Sequence, residues 1–284
     1  MKIQGAGLGL RREMLPSLLP DLPDEVDFWE LAPENWIPMG GKFARQLREC
    51  TSQATIIAHG LSLSIGSPDP LDVSFVKAVK AFLDEHEIQL YSEHLSYCSA
   101  EGHLYDLLPV PFTGEAVKHV SARIKQVQDI IERPLVLENV SYYLKPHGEL
   151  DELEFITAVL EEADCQMLLD VNNLYVNSIN HCYDPRAFLQ ALPSSRIALG
   201  HIAGHFDESE TLKIDTHGDA VCEPVWSLLE QAYEIHGVFP TLLERDFNLP
   251  PLTELLTEVS RIKAIQHAAS GARLPQKQRY EGVA

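Results

Sequence analysis

The chain has 284 residues, 45% hydrophobic and 23% charged, a globular composition with ample core material. Its 42 acidic residues outnumber 22 basic ones, and the formal charge of −20 argues against a nucleic-acid partner, whose phosphates would be repelled. No run approaches membrane-spanning length and the start lacks the apolar core of a signal peptide. The five scattered cysteines form no C-x-x-C pair, so a cytoplasmic protein with reduced thiols is expected.

Apolar, β-rich runs alternate with helix-period segments from end to end. The strands expected are Gly5–Leu10, Val26–Leu31, Ala54–His59, Ile88–His94, Pro134–Asn139, Met167–Val171, Ile197–His201 and Pro240–Arg245. Helical spacing recurs around Phe75, Val79 and Phe82. It returns at Val117, Val120, Ile124, Val127 and Ile131, where Thr113 is a candidate N-cap. Phe155, Val159 and Leu160 follow, then Val225, Leu228, Leu229 and Ala232 with Gly237 as a C-cap, and last Leu255, Leu256, Val259 and Ile262. Eight strands with intervening helices predict a TIM-type (β/α)8 barrel over residues 1–269, with a doubly wound sheet as the alternative. Residues 270–284 lose periodicity and are expected to be a flexible tail. The connections Leu95–Phe112 and Ala203–Asp219 are long, as loops over an active face are.

Six successive strands, the third to the eighth, end in His59, His94, Glu138, Asp170, His201 and Glu244. In a barrel those ends meet at one mouth, where catalytic residues sit. Singly, each histidine or acid reads as an ordinary core, capping or ion-pair residue, and Asp170 reads equally well as the cap of the next helix. Together, packed carboxylates repel unless protons or cations compensate, and Lys and Arg are scarce at these ends. Metal ions are the expected compensation. In extended backbone Asn172 would point with Asp170, and Asp215 with His217, which adds three candidates. An ion takes roughly four to six ligands, so nine candidates imply two or three ions. Imidazole with carboxylate and no thiolate suits iron, manganese or zinc. Zinc would suggest hydrolysis, manganese or cobalt sugar isomerisation, and iron oxygen chemistry.

The segments Gly7–Arg11, Glu30–Trp36, His59–Gly66, Ser92–Ser96, Leu137–Ser141, Leu169–Asn173, His201–His205 and Asp215–His217 resemble, in order, the multinuclear non-haem iron-dependent oxidative enzymes. The resemblance runs from about Gly5 to Ile265. It implies a xylose-isomerase-like barrel with two or three irons, mixed-valence Fe(II)/Fe(III), and O2 as co-substrate. His59, His94, Glu138, Asp170, Asn172, His201, Asp215, His217 and Glu244 fall on the ligand positions. Glu138 and Glu244 would bridge, Asn172, Asp215 and His217 would serve a third position, and Glu138, Asp170 and Glu244 would be catalytic. Glu34, Asn35, Ser62, Ser96, Asn139, Asn173 and His205 would orient ligands or bind substrate, and Arg11 and Arg245-Asp246 would form ion pairs. The implied substrate is a cysteine-containing precursor peptide, presented by a small partner protein. Its cysteine β-carbon would lose hydrogen in a four-electron oxidation that closes a heterocycle. A homodimer is the base-rate expectation. Two other readings stay open: a divalent-metal sugar isomerase or phosphodiester hydrolase on the same barrel, and a non-enzymatic, metal-dependent binding module.

Overall fold

The computed structural model describes residues 3–19 and 21–272. Eight parallel strands close into a barrel: β1 (Ala6–Gly9), β2 (Phe28–Leu31), β3 (Ile56–His59), β4 (Tyr91–His94), β5 (Leu135–Glu138), β6 (Gln166–Asp170), β7 (Ile197–Ile202) and β8 (Thr241–Leu243). Each strand pairs with its sequence neighbours, and β8 closes on β1, with Gly7 opposite Leu242. All eight fall within the runs expected from the sequence or within a residue of them, and the alternative open sheet is excluded by the closure.

Alternation along the strands sorts the side chains into two cores. Phe28, Ile57, Val136, Leu168, Leu199 and Leu242 pack together as a separate apolar cluster, with Leu90 against it. Trp29, Ala58, Tyr91, Leu137, Leu169 and Leu243 lie one residue further along and belong to the larger core shared with the helices. The smaller cluster is the barrel interior, and it floors the mouth from below. Two residues above each floor residue the same face of the strand presents the next inward side chain: Glu30, His59, Glu138, Asp170, His201 and Glu244. On β4, Leu90 is followed by Ser92 and then His94.

The helices expected from periodicity form at Val73–Glu85, Gly114–Ile131, Glu152–Ala163, Glu223–His236 and Leu252–Ala272. Thr113 caps its helix by accepting the Ala116 N–H, and Gly237 ends the fourth with φ +88°. Helices at Gly41–Thr51 and Pro185–Ala191 were not among those expected, and Val171–His181 is the helix that the capping reading of Asp170 implies. The last helix extends to Ala272, past the expected boundary at 269; residues 273–284 of the expected tail lie outside the described residues. Both long connections fold into hairpins, Ser96–Ser99 with His103–Pro109 and Phe206–Ser209 with Leu212–Ile214. Among the described residues no helix is long and apolar enough to cross a membrane.

Candidate metal centre

His59, His94, Glu138, Asp170, His201 and Glu244 meet above the apolar floor. His59 Nε2 lies 3.1 Å from Glu138 Oε2 and 3.2 Å from His94 Nε2, and His94 Nε2 is 3.4 Å from the same carboxylate oxygen. His201 Nδ1 lies 2.9 Å from Glu244 Oε2. Three groups of side chains could each hold an ion: His59, His94 and Glu138; Glu138, Asp170, His201 and Glu244; and His217, Glu244 and Asp246. Glu138 belongs to the first two and Glu244 to the last two, the sharing expected of bridging carboxylates.

The chemistry of this donor set fits metal ions. Glu138 Oε2, Asp170 Oδ2, His201 Nδ1 and Glu244 Oε2 are buried and lack a hydrogen-bond partner among the described residues. Leaving such atoms unpaired costs about 1–3 kcal/mol each, more for charged groups, unless a cation takes them up. The nearby guanidinium groups pair with acids outside the inner ring. Arg245 pairs with Glu258 at 2.8 Å, and Arg11 with Asp246 and the Arg245 carbonyl.

The electrostatics show the same strain. Burial works against the Glu138 charge, but the His94 and His59 imidazoles outweigh it and hold the carboxyl down at about 2. Burial, then the neighbouring Glu138 charge, pushes Asp170 up to about 8. Burial opposes a charged His59 as well, yet Glu138 and Glu30 raise it to about 9. His201 is raised well above the usual range by Glu30 and Glu244 against its burial. Without a cation the neighbouring acids favour protonated His59 and His201, and burial favours a protonated Asp170; a metal would displace such protons.

Asn172 reaches the site for a different reason from the one expected. The backbone turns helical at Val171, and Asp170 is the N-cap, its Oδ1 accepting the Asn173 N–H at 2.6 Å. One Asp170 oxygen caps the helix, and the other, Oδ2, is left unpartnered in the candidate group with Glu138, His201 and Glu244. Asn172 donates to Asp215 Oδ1 at 2.9 Å and faces His205 Nδ1 through its own oxygen at 2.8 Å. Asp215 and His217 are likewise not joined by extended backbone. His217 sits at φ +48°, and this left-handed turn folds its Nε2 to 2.7 Å from Asp215 Oδ1. Its Nδ1 faces Glu244 and Asp246, each at 3.3 Å. Asn172, Asp215 and His217 do meet, and Asp246, expected only as an ion-pair residue, stands with them.

The surrounding residues do varied work. Asn139 brackets Asp170, donating to its carbonyl and accepting its N–H, both at 2.9 Å. Asn173 donates to Glu138 Oε1 at 3.0 Å and so aims that carboxylate. Glu34 Oε1 accepts from the Leu61 and Ser62 amides and the Ser62 hydroxyl, which ties the loop after β3 rather than touching a ligand. Asn35 lines the cavity, and Ser96 is buried at the start of its hairpin. Two contacts were missed. Glu30 Oε2 lies 3.0 Å from His201 Nε2, and Ser92 Oγ lies 2.8 Å from His59 Nδ1. The signal was available, since both follow a floor residue by two, but attention to terminal strand residues alone passes over them.

A cavity of about 1330 Å³ opens in front of the cluster. His59, His94, Glu138, His217 and Glu244 form its floor, and both hairpin and loop residues, among them Leu108, Tyr143 and Leu144, form its walls. All five cysteines are free; burial pushes the thiols of Cys50 and Cys165 up, to about 11 and 12, and Cys98 upward as well.

Solved structures share the fold at low identity. They include the 3-keto-D-glucoside 4-epimerase YcjR from E. coli (TM-score 0.61, 12% identity, 92% of this chain and 99% of that one). Another is D-psicose 3-epimerase with D-tagatose from Clostridium cellulolyticum (0.58, 11%, 95% and 97%). A xylose isomerase domain protein from Alicyclobacillus acidocaldarius is a third (0.51, 12%, 94% and 97%). Among sequence relatives, a UPF0276 protein of Shewanella loihica is 63% identical over 93% of this chain and 95% of its own length. One of Pseudomonas aeruginosa is 54% identical over 96% of each chain. The family model described as RiPP precursor modification enzyme MbnB/TglH/ChrH matches residues 5–267, and the chain belongs to that family.

Proposed function

We propose that the protein is a multinuclear iron-dependent oxidase that uses O2 to modify cysteine residues of a ribosomally synthesised peptide, presented by a small partner protein. The observation that carries this reading is the ring of imidazole and carboxylate donors at the bottom of a cavity of about 1330 Å³ in a precursor-modifying family. Small-molecule pockets run about 300–1,000 Å³, so this one has room for a peptide segment. Bound iron would accept electrons from the substrate and pass them to O2.

His59, His94 and Glu138 would hold one ion, Glu138, Asp170, His201 and Glu244 a second, and His217, Glu244 and Asp246, with Asn172 and Asp215 beside them, a third. Glu138 and Glu244, each shared between two of these groups, would hold adjacent ions. Asn173 keeps Glu138 aimed and Asn139 keeps Asp170 aimed. The apolar walls at Leu108, Tyr143 and Leu144 exclude water once peptide fills the mouth, so the cysteine β-carbon is held where hydrogen can leave it. Closing one heterocycle removes four protons and four electrons, and one O2 takes them up as two waters.

Protein purified without oxygen is expected to carry two or more irons and to consume O2 with peptide. Co-expression with small cysteine-containing precursor peptides should give a product lighter by about 4 Da, the mass of four hydrogens. Full occupancy by zinc with no O2 consumption would overturn the oxidase and favour the isomerase or hydrolase chemistry of other barrels.

A further inference from the structure

An imidazole offers two nitrogens, and a single metal takes one of them. The partner of the other nitrogen decides which. The three histidines of the inner ring differ sharply here. His201 Nε2 makes a directed hydrogen bond to Glu30 Oε2 at 3.0 Å. Its Nδ1, close as it is to Glu244 Oε2, has no directed hydrogen bond and faces the group made with Glu138, Asp170 and Glu244. Glu30 is brought to it from β2, 171 positions earlier, by the register that sets Glu30 two residues above Phe28. His59 is backed by a hydroxyl. Ser92 Oγ donates to the Ala58 carbonyl at 3.3 Å and so accepts the His59 Nδ1–H. His94 Nδ1 has no hydrogen-bond partner among the described residues, and Glu93 Oε2 stands 3.6 Å away.

We propose that Glu30 is a positioning residue: it holds the Nε2–H of His201 and commits Nδ1 to metal. In doing so it makes the position lined by Glu138, Asp170, His201 and Glu244 the tighter and more electron-rich of the two that share Glu138. A carboxylate that accepts an imidazole N–H strengthens the far nitrogen as a donor, a hydroxyl does so less, and an unbacked ring least. The order of donor strength is therefore His201, His59, His94. The count of carboxylates runs the same way, three at the His201 position and one at the other. The two metal positions are thus built unequal, and the weaker one is the one whose histidines line the cavity. The inference rests on reading the ring as a metal centre, and is independent of iron and of the oxidase chemistry.

The test titrates chelator-stripped full-length protein with Co(II) alone, without oxygen, following its visible absorption and binding heat. Wild type should fill a tight class and then a weaker one. Glu30→Gln, which still accepts the N–H but lacks the charge, should weaken the tight class about 10-fold, and Glu30→Ala about 100-fold. Ser92→Ala should weaken the other class and leave the tight class within about twofold. A tight class unmoved by both Glu30 variants, or both classes weakened alike, overturns the proposal. Should the variants fail to fold, anomalous diffraction from wild-type crystals loaded with Co(II) reads the answer directly. Cobalt on Nδ1 of His201 with Nε2 on Glu30 is expected; cobalt on Nε2 refutes it. Absence of any Co(II) binding would instead overturn the metal centre itself, whereas a loaded iron protein that leaves O2 untouched would overturn only the oxidase.

Discussion

Glu138 is the residue on which most of the site depends, because its two oxygens face different neighbours. Oε1 is held by the Asn173 amide, and Oε2 meets both His59 and His94. Glu138→Gln keeps the size and the Asn173 contact but removes the shared charge. It should lower the bound metal by at least one equivalent, read by elemental analysis, with far-ultraviolet circular dichroism unchanged. If metal is retained and turnover alone is lost, Glu138 acts in the chemistry and not in binding. Glu152 offers a test of burial away from the candidate metal centre. Burial raises it to about 7, against hydrogen bonds from Tyr142, Asn177 and Tyr183 that pull the other way. Its folded value stands above the ordinary 4.5, so the fold prefers the protonated acid. That preference is fully present below pH of about 4.5 and is lost as pH rises through about 7. Glu152→Gln should therefore match wild type near pH 5 and exceed it at pH 8, by on the order of 1–3 kcal/mol in urea unfolding with chelator present. A variant less stable than wild type at pH 8 would refute the sign.

The strands β2 to β8 contribute inward side chains around the ring, and connections complete the set. Much of this was readable from the chain. Apolar runs ending in an acid or histidine announced β3 to β8, since a strand exposes its polar residue only where it leaves the core. What was not readable lay in the turns. Asn172 sits on a helix and His217 in a left-handed bend, and neither direction follows from side-chain alternation. Glu30 was hidden because the expected strand ran one residue further, to Leu31, so Glu30 is not the residue on which that run ends. The hairpins inside Leu95–Phe112 and Ala203–Asp219 depend on pairing between short strands whose residues carry little alternation. One glycine fixes the second of these connections. A Cβ on Gly204 would stand 2.1 Å from the Asp219 carbonyl oxygen and 2.6 Å from that of Ala220, so the two ends of the loop touch there. Gly204→Ala must part them, and a loss of about 2–4 kcal/mol in unfolding free energy is expected, together with weaker metal binding through displaced His217. An alanine variant as stable as wild type would show that the loop ends can separate freely.

At the level of the whole molecule, the net charge bears on what a bound cation would do. A chain of formal charge −20 gathers three carboxylates in one buried group, and any cation bound there stabilises the folded form by mass action. At free metal about 100-fold above its dissociation constant the gain is about 2.7 kcal/mol per site. Chelation should lower the melting temperature by several degrees, and re-addition of a divalent ion should restore it; a melting curve indifferent to chelator would count against a metal centre. The two-residue step from floor to ring has a further consequence for how such a protein can change. An insertion or deletion of one residue inside a strand would turn its donor away from the mouth and bring a greasy side chain into its place. Length changes are therefore confined to the connections. A donor that belongs to one group, such as His94, can be exchanged on an unchanged frame, whereas exchanging Glu138 or Glu244 alters two groups at once.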